Sequence, residues 1–406
     1  TGVKLVADTE HKGIAVGAGI TQIDILSGAT LRIDASASES GASVVDASIT
    51  SEDDKVKVLV TNSLGKAPAE GVKFLAENTY TGETVIDLGA KATAGHASAF
   101  AQSKLVSVGT MGEDVNGNRL EVESTLVLDT AQVEGSPYVN AVKMKALELG
   151  RNGNLVMNAD NDLLLTGSGT STFAEGSTVK GGQSTSIGLE KGKLEIADLG
   201  TLSDFKGVFR VNSDASVIFT VAGAETYTWA NNVRFYDDTR SRAVGAGEFV
   251  KTGTGTLVID GEKNLSLSAM NLVAAEGTTK FTGDASILGL TTKSGAVVDV
   301  DGIFETKNLT ADAESVFKLD AVTGKTVALK EGETATKSPI WGLGENGSDG
   351  IRVTGTASGT LNLAVTPKNV KKGAEESIQL VDAADTKEGF TVNLVDEKGF
   401  ALKALT

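Results

Sequence analysis

One short unit recurs along this chain of 406 residues: a glycine, a small or polar residue, then apolar residues at every second position. It stands as GATLRIDA from Gly28, GNLVMNAD from Gly153, GKLEIADLG from Gly192 and GTLVIDG from Gly255, then as GTTKFTGD from Gly277, GAVVDVDG from Gly295 and GTLNLAV from Gly359. The starts are 125, 39, 63, 22, 18 and 64 residues apart, and these steps divide by 6, 2, 3, 1, 1 and 3 into lengths near 20. Alternation with period 2 is a strand signal, and a repeat of about 20 residues is a solenoid signal. A single coil cannot bury its inward side chains, whereas stacked coils about 4.8 Å apart pair their backbones and build one core. The pattern predicts an all-β solenoid, and roughly twenty coils at that spacing give a continuous rod on the order of 90 Å long.

Composition supports this reading. Glycine supplies 48 residues and proline only 4, which suits many tight turns and not a disordered linker. Hydrophobic residues make up 40% but aromatics only 5%, a mixture that suits a narrow interior of small stackable side chains. Cysteine is absent, so no disulfide or thiolate metal site is available. The segment AVKMKALELG from Ala141 carries helix formers, yet its alternation reads better as strand. In EFVKTGTGTLVIDG, residues 248–261, the Gly-Thr-Gly-Thr run turns a corner, Leu257 and Ile259 point inward, and Val258 points outward.

That same corner resembles the passenger-associated transport repeat of bacterial autotransporters. The resemblance rests on Gly247, Phe249, Lys251, Gly253, Gly255, Leu257, Ile259 and Gly261, with Phe249 standing where the pattern has leucine. A second stretch, SDGIRVTGTASGTLNLAV from Ser348, is similar to the end of pertactin-like passengers through Asp349, Ile351, Val353, Gly355, Ala357 and Gly359. The resemblance implies a right-handed parallel β-helix with a C-terminal β cap of the autochaperone kind. It divides the chain into residues 1–246 with generic repeats, 247–300 with transport-repeat coils and 301–406 as the cap. It also implies a protein secreted to the bacterial cell surface, with a translocator β-barrel in the full-length protein. Phe304, Phe317, Trp341, Phe390 and Phe400 concentrate aromatic bulk toward this end, where an open sheet edge needs covering.

Residues suited to chemistry are sparse. The histidines are His11 and His96, and no serine is flanked by glycines in the manner of a nucleophile elbow. Asp53/Asp54 and Asp237/Asp238 are adjacent, so on a strand they face opposite ways, while Asp160 and Asp162 share a face but read as a coil corner. The oxygen-rich stretches at 113–118 and 158–162 lack the glycine and terminal glutamate of a calcium loop. GLGENG at 342–347 precedes a strand instead of a helix, so it reads as a loop and not a phosphate cradle. No cofactor or metal is expected. The aromatic patch AETYTWANNVRFYDD supplies Tyr227, Trp229 and Tyr236 as candidate binding residues, with a core-covering strand as the plainer reading.

A net charge of −16 disfavours nucleic acid and anionic membranes as partners. The expected function is that of a non-enzymatic adhesin or self-associating surface protein. Its partners would be copies of itself on neighbouring cells, or host surface glycans and matrix proteins. The alternatives are a polysaccharide hydrolase or lyase on the same fold, or a phage tail-spike fibre.

Overall fold

The computed structural model describes residues 3–7, 20–35, 43–62, 71–110, 122–130, 141–234, 247–323, 340–369 and 377–399. Among them are β-strands and short 3-10 turns but no α-helix. The strands pair in parallel with neighbours one coil away, which makes the fold a parallel β-helix. The chain falls into two compact units, one of Thr1–Ile218 with Phe235–Gly247 and one of Phe219–Arg234 with Glu248–Thr406.

In the first unit three faces alternate along the chain. Strands Leu147–Leu149, Gly153–Met157 and Asp162–Leu165 form one coil, and Thr170–Phe173, Thr178–Gly181 and Ser186–Leu189 form the next. Each strand lies in register on its predecessor, as in Glu148 on Thr172, Asn154 on Thr178 and Asp162 on Ser186. The AVKMKALELG segment forms two strands, Ala141–Met144 and Leu147–Leu149, as its alternation predicts. Val142, Leu163, Ile187 and Phe209 stand in one inward column, each fully buried.

In the second unit, one face stacks Glu248–Thr252, Asn271–Ala274, Ala285–Thr292, Ile303–Ala311, the first half of Gly350–Lys368, and Val381–Thr386. The other stacks Thr226–Thr228, Thr256–Asp260, Thr278–Thr282, Val297–Asp301, Val316–Val322, the second half of Gly350–Lys368, and Thr391–Val395. Leu257 and Ile259 are buried and Val258 is not, as the corner motif predicts. The rings of Phe281 and Phe304 stack at 4.0 Å between centroids.

All seven glycine-led repeats fall on strands, but not on one face. The Gly28 and Gly192 repeats belong to one face of the first unit and the Gly153 repeat to another, so steps between them mix positions within the coil. Only the Gly255, Gly277 and Gly295 repeats follow one another directly, with Thr256 on Thr278 on Val297. Coil length is also uneven. It is 19 residues from Thr278 to Val297 and 24 from Asn154 to Thr178, but 41 from Val106 to Leu147 and 46 from Phe317 to Leu363. The described coils therefore do not keep a uniform period of twenty.

Of the aromatics expected to seal the C-terminal end, Phe304 and Phe317 are buried in the core, Trp341 and Phe390 are half-buried, and Phe400 lies outside the described residues. Val392 and Leu394 occupy inward positions over Leu361 and Leu363, yet they are 47% and 56% exposed on the last described rung.

Candidate functional site

The corner at 248–261 carries the most distinctive geometry. Strand Glu248–Thr252 alternates exposed and inward residues, so Lys251 is on the same side as the buried Phe249. Lys251 is fully buried, an uncommon place for an ammonium unless every proton is matched. Here it is matched. The Nζ donates to the carbonyl oxygens of Gly253 at 2.6 Å, Gly255 at 2.7 Å and Glu276 at 2.6 Å. An ammonium has three hydrogens, and three carbonyls receive them. Two of those carbonyls close the corner of its own coil, and the third belongs to the next coil, so one side chain ties the two corners together. Burial pulls the Lys251 ammonium down to about 8, opposed by the nearby Glu276 carboxylate. Glu276 also accepts from the Gly253 N–H at 3.1 Å.

Gly277 leaves the room this arrangement needs. Its φ is +63°, and a Cβ built there would lie 2.6 Å from the Lys251 Nζ and 2.6 Å from the Gly253 carbonyl oxygen. Gly253 and Gly255 are hemmed in by the Val221 carbonyl at 2.5 and 2.8 Å in the same sense. The motif glycines are thus explained by close backbone approach.

Asp349 is the counterpart of opposite charge. Its carboxylate accepts from the Gly302 N–H at 2.9 Å and the Asp320 N–H at 2.6 Å, joining an earlier turn and the strand Val316–Val322 to the start of Gly350–Lys368. Burial, followed by the charges of Asp320 and Asp301, holds its carboxyl above the usual range, against the pull of those two N–H groups. Gly359 follows at φ +86°, where a Cβ would lie 2.0 Å from the Ala311 carbonyl oxygen, and at Gly355 one would lie 2.5 Å from that of Lys307. Trp341 sits in a two-residue strand paired with Ser377–Ile378, where its carbonyl accepts from the Gln379 N–H.

The aromatic patch is not a binding surface at its centre. Trp229 is fully buried, packs between Phe219 and Phe249 at 5.5 and 5.8 Å, and donates its indole N–H to the Asn231 carbonyl at 2.6 Å. It is core, because the inward column beside Phe249 needs a large side chain there. Tyr227 is half-buried on the neighbouring strand, and Tyr236 lies outside the described residues.

The acidic candidates serve turns. Asp53 is half-buried and accepts from the Ser27 hydroxyl and the Lys55 N–H, which hold its carboxyl below the usual range. Asp160 occupies a left-handed turn position at φ +62°, while Asp162 is half-buried and raised by that burial. His96 accepts at Nδ1 from the Ser98 N–H in a loop, and GLGENG is a turn closed by the Gly342 N–H on Glu345. His11, the 113–118 stretch and Asp237/Asp238 lie outside the described residues. Among the described residues no three His, Asp or Glu side chains are grouped as metal ligands.

No family model and no curated protein matches this chain.

Sequence reading overlooked two features. Glu276 and Gly277 complete the lysine cage from 25 and 26 residues downstream, and the matching glycine of the next repeat is the signal that could have located them. Inside the first unit, Tyr80, Thr84 and Ser103 form a buried hydroxyl chain that closes on the Gly82 carbonyl. No local pattern marks it.

On the outward side of the second unit, two columns run across successive rungs. One has Asn271, Gly289 and Asn308; the other has Val273, Thr291, Thr310 and Ser358, of which Gly289 and Val273 are nonetheless buried. The exposed Glu248 pairs with Asn271 at the head of the first column, and from Asn271 to Ser358 these positions are uncharged. Charges sit elsewhere on both faces: Arg352 bridges Glu305 and Asp382 at 3.6 and 4.0 Å on this one, and Lys280 bridges Asp299 and Asp301 at 3.5 and 3.7 Å on the other.

Proposed function

We propose that this chain is the passenger of a bacterial autotransporter, displayed at the cell surface as an adhesin or self-association protein and anchored by a translocator β-barrel. The observation that carries the reading is the run of uncharged outward residues Thr291, Thr310 and Ser358 on successive rungs, with Asn308 exposed beside Thr310 on strand Ile303–Ala311. Side chains repeated at coil spacing offer a partner rod or an extended glycan many weak hydrogen bonds in a row, and multivalency sums them. One residue from each stretch that carries the resemblance supports the family assignment in a second way. Lys251 and Asp349 are spent on holding coils together, a role fitted to a protein that must assemble a long solenoid. The test is display of the full-length protein on a non-aggregating bacterial host, scored for cell aggregation and for adhesion to matrix proteins and glycans. Aggregation or adhesion that disappears on replacing Asn308 and Thr310 together by lysine supports the proposal. Display without either activity overturns it.

A further inference from the structure

We draw no further inference here: the strongest candidate, the open C-terminal rung of the second unit, where the inward-facing Val392 and Leu394 are 47% and 56% exposed on strand Thr391–Val395, carries nothing because nothing in the structure shows what covers it.

Discussion

The Lys251 ammonium reaches the Glu276 carbonyl in the following coil at 2.6 Å, while donating its other two hydrogens to Gly253 and Gly255 in its own coil. Replacing it by methionine keeps the volume and removes every donor, which strips the Gly253 and Glu276 carbonyls of the lysine's hydrogens while the Gly255 carbonyl keeps the Thr278 N–H at 3.2 Å. Unsatisfied buried acceptors cost about 1–3 kcal/mol each, offset here by no longer burying a charge. We expect Lys251→Met to lower stability by on the order of 3 kcal/mol in urea unfolding. A midpoint equal to wild type would show that the cage contributes nothing.

Gly277 and Gly295 separate two effects that are usually confounded. Both have positive φ, +63° and +76°, but a Cβ at Gly277 meets the Lys251 Nζ whereas at Gly295 it meets nothing within 4 Å. Gly295→Ala should therefore cost only the left-handed strain of about 1–2 kcal/mol. Gly277→Ala should cost clearly more, and comparing the thermal midpoints of the two variants checks the ordering.

Thr279 points inward between Leu257 and Val298, fully buried, and its hydroxyl oxygen has no hydrogen-bond partner. A buried hydroxyl without a partner is a desolvation penalty with no return. Thr279→Val should stabilise the second unit by about 1 kcal/mol. A lower unfolding midpoint would reveal a partner for that hydroxyl.

Trp229 is fully buried, whereas Trp341 and Phe390 are half-buried. Truncating a buried aromatic costs about 3–5 kcal/mol. Trp229→Ala should reach that range, and Trp341→Ala and Phe390→Ala should each destabilise by less. Chemical denaturation of the three variants ranks them directly.

Asp349 gives a pH dependence with a definite sign. Its carboxyl is raised above the unfolded value, so the folded state binds the proton more tightly. The stability from that proton is complete below the ordinary carboxylate pKa of about 4 and is lost as pH rises through the raised value. Asp349→Ala removes this term and frees the N–H groups of Gly302 and Asp320, so the variant is the less stable protein in acid, by about 1–3 kcal/mol. The gap should narrow as pH rises from 3 toward 7. A gap that widens would contradict the raised carboxyl.

The local alternation of GTLVIDG and VVDVD was enough to place strands and their inward residues, because side-chain direction in a strand follows period 2 whatever surrounds it. Glycine spacing likewise located corners, since each close backbone approach excludes a Cβ. Both are properties of neighbouring residues, so the sequence by itself determined a stacked, all-β chain. Coil length, and which face each repeat occupies, came only from the structure. Extra residues in coils such as 106–147 and 317–363 leave the strand pattern intact, and pairing with the previous rung decides where the next strand lands. The same limit hid the lysine cage and the fate of Trp229. An ammonium is tolerable in the core only where carbonyls from two coils converge on it, and an indole is core only where Phe219 and Phe249 meet it. Both are contacts between rungs that register alone creates.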